Sequence, residues 1–236
     1  MSWGDALAAI QARLTPADME RFSRAHKNFI AYRTESTLTR FYGTVFALGL
    51  QHEVNANRFV RLLGILEDLF AEVPTGLAIL DVGAGAGYVA GALLRQRAPK
   101  AYVAYDPVPA ARDELLAQGL TVLPHPPPPL PEKPFDAILC VDSLGEVNSD
   151  DDGLLSRAGA IPTEEMAVQM EERFGFAEKL ALWKPYLAAD GRILLWEPFA
   201  YPEAFAAVAL YLGSHGWEAE VKSRAPGRNY LEIRPH

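Results

Sequence analysis

Cysteine is almost absent: Cys140 is the only one in 236 residues. One thiol permits no intrachain disulfide and no cysteine-built zinc cluster, so a reducing cytoplasm is the expected setting. Long hydrophobic runs are missing as well. A membrane-spanning helix needs about 18 consecutive apolar residues, and the longest candidate, Phe41 to Leu50, is short and interrupted by Gly43, Thr44 and Gly49. The start, Met1-Ser2-Trp3-Gly4-Asp5, lacks the basic-then-apolar pattern of a secretory signal. Positive charge is scarce, with 22 Lys and Arg against 30 Asp and Glu and a net charge of −8. Phosphate neutralisation drives nucleic-acid binding, so this composition disfavours it. The one basic run, Arg21-Phe22-Ser23-Arg24-Ala25-His26-Lys27, reads best as a solvated helix face. The acidic stretch Asn148-Ser149-Asp150-Asp151-Asp152-Gly153 lacks the spaced ligands and closing Glu of an EF-hand, and no metal is expected.

What is present suits one elaborated α/β unit, or a core of roughly 150 residues with an accessory segment. Residues 1–75 carry helical periodicity. Trp3, Leu7, Ile10 and Leu14 form one stripe, and Met19, Phe22, His26, Phe29 and Ile30 a second. Thr15-Pro16-Ala17-Asp18 is a helix start, with Thr as cap and Pro in the first position. Leu38, Phe41, Val45 and Leu48 make a third stripe. Asn55 is expected to cap a fourth helix that buries Phe59, Leu62, Leu63, Leu66 and Phe70 and stops at Pro74-Thr75-Gly76.

From residue 77 strands alternate with helices. The expected strands are 77–82, 101–106, 120–124, 135–141, 191–197, 217–223 and 229–234. That alternation predicts a doubly wound, mostly parallel sheet covered on both faces. The last two strands, separated around Pro226-Gly227 without room for a helix, form an antiparallel hairpin. Pro124-His125-Pro126-Pro127-Pro128-Pro129-Leu130-Pro131 is a stiff connection within the domain.

The most informative stretch is Ala78-Ile79-Leu80-Asp81-Val82-Gly83-Ala84-Gly85-Ala86-Gly87-Tyr88: an apolar strand, an acid, three alternate glycines and a helix start. Glycines let backbone approach a ligand, and helix-start N–H groups face its polar or anionic part. A nucleotide-like cofactor is the natural occupant. A dinucleotide remains open, because Gly85 and Gly87 with Ala90 satisfy the looser fingerprint, although no Tyr-x-x-x-Lys pair accompanies it. The acid directly before the glycines resembles the first motif of class I S-adenosylmethionine (SAM) dependent methyltransferases. Five parallel strands with a terminal hairpin resemble that fold too. So does Leu187-Ala188-Ala189-Asp190-Gly191-Arg192-Ile193-Leu194-Leu195-Trp196-Glu197-Pro198, a fifth strand ending in Glu-Pro.

The resemblance covers roughly residues 76–236 and leaves 1–75 as a helical lid over an α/β domain with a seven-stranded, mostly parallel sheet. It implies a cofactor site built from Asp81, Gly83, Ala84, Gly85, Gly87 and Tyr88 of the turn, Asp106 and Pro107 after the second strand, and Asp142 and Ser143 after the fourth. Asp106 would accept the ribose hydroxyls, a role NAD folds also use; a helix cap is its structural alternative. The family places an acid after the third strand to meet adenine. Leu123-Pro124-His125-Pro126 stands there instead, leaving His125 as the candidate. The Asn/Asp-Pro-Pro-Tyr/Phe pattern of base and glutamine methyltransferases is absent. A protonated acceptor needs a base, for which Asp142, Glu146 and His26, with His52, are candidates. Tyr32, Phe41 and Tyr42 are candidate acceptor-site aromatics. The expected activity is methyl transfer to an N or O atom of a small molecule, carboxylates beside the pocket favouring an amine. A protein side chain as acceptor, or a non-catalytic nucleotide-binding scaffold, are the alternatives; a homodimer is left open.

Overall fold

In a computed structural model of the protein, the described residues are 3–32, 34–129, 134–143, 163–197, 202–225 and 228–236. The chain opens with five helices: α1 (Trp3–Arg13), α2 (Pro16–Tyr32), α3 (Glu35–Ala47), α4 (Gln51–Val54) and α5 (Ala56–Glu72). Thr15 starts α2 as its sequence predicts: its hydroxyl accepts the Asp18 N–H at 3.2 Å and donates to the Asp18 carboxylate at 2.7 Å. Thr34 and Thr37 build a reciprocal capping box on α3. Helices α1–α4 enclose a core of their own around Ile10, Phe22, Phe29, Phe41, Val45 and Leu50.

Three details of this region correct the periodicity. Asn55 makes no side-chain cap; its ψ of 7° is not the extended conformation that aims a cap side chain at the third amide. Leu63, expected inside, is 54% exposed, because it lies one 100° step off the stripe Leu62, Leu66, Leu69 and Val73. Ile30 is 40% exposed for the same reason beside buried Phe29.

The sheet contains β1 (Ala78–Val82), β2 (Ala101–Tyr105), β3 (Thr121–Val122), β4 (Phe135–Val141), β5 (Leu187–Trp196), β6 (Trp217–Ala225) and β7 (Arg228–Pro235) in the order β3-β2-β1-β4-β5-β7-β6. Strands β1–β5 pair in parallel, and β7 runs antiparallel to β5 and β6. Strand β3 is shorter than expected, since Pro124 has no N–H to extend the ladder. Alternate residues serve opposite faces, and both faces are covered, which is why the strands read as continuous apolar runs. Leu80, Ile138, Cys140, Ile193 and Leu195 pack under α8 (Glu164–Phe174), α9 (Phe176–Trp183) and α10 (Pro202–Gly213). Ile79, Leu139, Leu194 and Trp196 pack under α5 and α6 (Tyr88–Gln96). Helix α7 (Pro109–Ala117) sets Leu115 against Ala84 and Ala104 beside β2. The carboxyl ends of β1, β2 and β4 therefore open on one edge, next to the glycine turn.

Candidate active site

Leaving β1, the backbone passes through Gly83, Gly85 and Gly87, with φ of +76°, +55° and +78°. Two of these glycines play different parts. A Cβ on Gly83 would stand 2.3 Å from the Ser143 Cβ, so the ends of β1 and β4 touch only because it is glycine. A Cβ on Gly85 would meet nothing closer than 4.0 Å, so the space above it is open to a ligand.

Asp106 fastens this turn. One carboxylate oxygen accepts the Gly85 N–H at 2.9 Å and the other the Val108 N–H at 2.8 Å. The Gly83 and Ala84 N–H groups donate to the Tyr105 carbonyl at 2.8 and 3.0 Å. Asp106 thus organises both the turn and the start of α7, and it remains on the cavity wall.

Asp81 lies beneath, 1% exposed, and accepts the Tyr102 hydroxyl at 2.7 Å. Burial pushes its carboxyl up to about 7; the Tyr102 hydrogen bond opposes the rise and the nearby Asp106 charge adds to it. Burial likewise pushes the Cys140 thiol up, reinforced by Glu197 and Asp81. At the end of β4, Asp142 holds a left-handed φ of 51° and donates its N–H to the Trp196 carbonyl at 2.7 Å. Asp tolerates that conformation better than most residues, at a cost of about 1 kcal/mol. The neighbouring Ser143 N–H donates to Glu197 at 3.2 Å.

The glycine turn and the ends of β1, β2 and β4 border one cavity of about 550 Å³. Asp81, Gly83, Ala84, Gly85, Tyr88, Asp106, Pro107, Asp142 and Ser143 all line it, so most of the sequence-predicted cofactor residues are brought together. Gly87 stands behind the wall, its Cβ position facing Gln118 and Leu115. His125 is also off the wall: its Nδ1 lies 2.8 Å from the hydroxyl of Tyr105, which does line the cavity. His26 is elsewhere. It stacks on Phe22 and tilts against Phe41 within the helical core, where burial lowers its pKa, and it does not border the cavity. His52 reaches the site indirectly, its Nδ1 3.1 Å from the Tyr88 hydroxyl. Glu146 and the acidic stretch 148–153 lie outside the described residues. Of the acceptor-site aromatics, Tyr42 lines the cavity, Phe41 is core and Tyr32 is 70% exposed.

The far wall comes from two places. Phe29, Leu38, Tyr42 and Phe46 project from α2 and α3. Phe174, Lys179, Leu182 and Trp183, from α8 and α9, were not singled out by sequence. Trp183 packs edge-on to Tyr105 at 4.7 Å. Only the bulk and apolar character of Phe174 and Trp183 marked them, and that character also suits a core.

The arrangement fits a cationic nucleoside cofactor. It offers an uncovered glycine turn, buried carboxylates at strand ends and an apolar wall, and Lys179 is the sole cation on the wall among the described residues. No group of three or more His, Cys, Asp or Glu able to hold a metal occurs among the described residues. Among them, too, no helix is long and apolar enough to cross a membrane.

Residues 54–206 match the family model described as a methyltransferase domain. No curated protein matches the chain. Among solved structures, DhpI in complex with SAH is 16% identical, with 84% of this chain and 94% of DhpI aligned and a TM-score of 0.55. The complex of DhpI with SAM and HEP gives 15% identity, 83% and 94% coverage and a TM-score of 0.52. A Haloferax volcanii methyltransferase in complex with the Trm112 methyltransferase activator gives 12% identity, 83% and 98% coverage and a TM-score of 0.50. At such identities these structures speak for the fold. The family match, joined to the strand order and the glycine turn, shows that this chain belongs to the class I SAM-dependent methyltransferases, with SAM as cofactor.

Proposed function

We propose that the chain methylates an N or O atom of a small-molecule acceptor, enclosed between the strand ends and the helices α2 and α3. The observation carrying this reading is the continuity of the cavity from Gly85 and Asp106 to Phe29, Leu38, Tyr42 and Phe46. About 550 Å³ is the size of a small-ligand site, and its helical wall suits a lid over a compact acceptor better than an open cleft for a protein chain. Helices α1–α4 serve as that lid.

The bound cofactor supplies an activated methyl group on a sulfonium. The protein's task is alignment and electrostatics. Gly83 lets the ends of β1 and β4 meet, Gly85 leaves room for a ligand above the turn, and Asp106, which holds the turn, would accept the ribose hydroxyls from the cavity wall. Asp142, joined by Asp81 in its ionised form, sets carboxylates at the strand ends, which favours the cationic cofactor and an amine acceptor. Asp142 is the base candidate on the cavity wall; it would take the proton an amine or hydroxyl releases. Glu146 follows closely in sequence and remains a second candidate. His26 is assigned no part in proton transfer, since Phe22 and Phe41 pack against its ring.

The test is turnover. Purified protein with SAM is screened against small amines and hydroxyl compounds, with S-adenosylhomocysteine release as readout. Turnover on an amine that falls in Asp142→Asn supports the reading. Turnover only on proteins or peptides overturns the acceptor class, and unchanged turnover in both Asp142→Asn and Glu146→Gln overturns the base.

A further inference from the structure

A second cavity of about 400 Å³ lies between α2 and α3, lined by Glu20, Arg21, Arg24, Asn28, Arg40 and Thr44 among others. It belongs to a different face from the cofactor cavity. Asn28 borders it while the next residue, Phe29, lines the cofactor cavity; Gly43 and Thr44 border it while Tyr42 and Phe46 line the other. Successive residues on a helix point about 100° apart, so one helix pair walls two separate sites.

The charge here runs against the whole molecule. In a chain of net charge −8, this cleft gathers three arginines. Arg24 is matched by Glu20 at 2.5 Å, one turn away. Arg21 and Arg40 form no ion pair among the described residues. The cleft therefore holds two uncompensated guanidiniums on facing helices, beside the Asn28 amide and the Thr44 hydroxyl. Thr44 is 5% exposed and donates that hydroxyl to the Arg40 carbonyl at 2.8 Å, so it steadies the backbone that carries Arg40 and leaves the binding of an anion to the guanidiniums and the Asn28 amide. Two like charges bordering one cleft disfavour each other, and an anion in the cleft relieves that. A guanidinium presents a planar fork of donors that fits tetrahedral oxyanions. The charge to be matched is two, and a phosphate monoester carries about −1.5 to −2 near neutral pH.

We propose that the α2–α3 cleft is a second ligand site that binds a phosphate-bearing small molecule through Arg21 and Arg40. The site is independent of the acceptor reading, since none of its residues borders the cofactor cavity.

The experiment is titration calorimetry of the full chain with inorganic phosphate and with glucose 6-phosphate, against glucose and sodium chloride at matched ionic strength. Saturable binding of the phosphates, absent for glucose and chloride, is expected. Arg21→Ala and Arg40→Ala should each weaken it by about tenfold or more, the usual loss for a charge-assisted hydrogen bond, and Arg40→Lys should keep part of it. Both side chains are exposed, so the variants should melt like the parent; Arg95→Ala, remote on α6, should bind phosphate normally. Unsaturable heats, heats equal to those with chloride, or binding undiminished in both alanine variants would overturn the site. So would binding of a glutamate-rich peptide in place of both phosphates.

Discussion

On the proposed cofactor site, Asp81 is expected to make SAM binding sensitive to pH near neutrality. Its carboxyl is buried under the glycine turn and pushed up to about 7, principally by desolvation. A sulfonium cofactor prefers the ionised carboxylate, so cofactor binding and Asp81 deprotonation are linked. With a midpoint at 7, about 3% of Asp81 is ionised at pH 5.5 and about half at pH 7. If only the ionised form binds well, SAM affinity rises about fifteenfold across that interval. The interval stays below the range in which an α-amino group titrates, about 7.7 to 8.0, so the ligand's own charge is constant. Calorimetric titrations at both pH values supply the measurement. Asp81→Asn, which keeps an oxygen for the Tyr102 hydroxyl, should bind with little pH dependence. Tyr102→Phe removes the hydrogen bond that restrains the shift and should move the dependence to higher pH. Equal affinity of the parent protein at pH 5.5 and 7 would refute the reasoning, as would a slope that survives in Asp81→Asn.

The same group fixes the sign of a stability effect. A folded-state pKa raised above 3.8 contributes stability that is whole below that value and lost as pH rises through about 7, so denaturant midpoints should fall over that range and fall less in Asp81→Asn. Asp106→Ala frees the Gly85 and Val108 amides together, and should abolish measurable SAM binding in calorimetry while the far-UV spectrum stays native. Gly83→Ala combines a positive φ with a 2.3 Å approach to Ser143; a loss of about 2–5 kcal/mol in urea unfolding is expected. A loss below about 0.5 kcal/mol, the size of an ordinary surface change, would contradict that packing.

Strands β1, β2 and β4 were legible because both faces are buried, which writes them as unbroken apolar runs with an acid or glycine at the end. Asp81, Gly83, Gly85 and Asp106 were legible for a related reason: the turn needs left-handed backbone and an acceptor for its amides, and few residue types supply either. The wall facing them was not. Phe29 shares its stripe with the core residue Phe22, and Tyr42 lies next to core Phe41, and periodicity cannot separate a side chain facing a cavity from one facing a neighbour. Trp183 and Lys179 come to the site through the packing of α9 on β4 and β5, a contact between segments far apart in sequence. His26 shows the converse ambiguity: a titratable ring on an apolar stripe reads as a core histidine or as a proton-transfer group, and its packing on Phe22 and Phe41 matches the core reading. His125 is placed by its hydrogen bond to Tyr105, which no spacing rule announces.

The most direct measurement is calorimetric titration of the parent protein with SAM and S-adenosylhomocysteine, with NAD as control. The account predicts saturable micromolar binding of the first two and none of NAD. Folded protein that binds neither, or binds NAD instead, would contradict it.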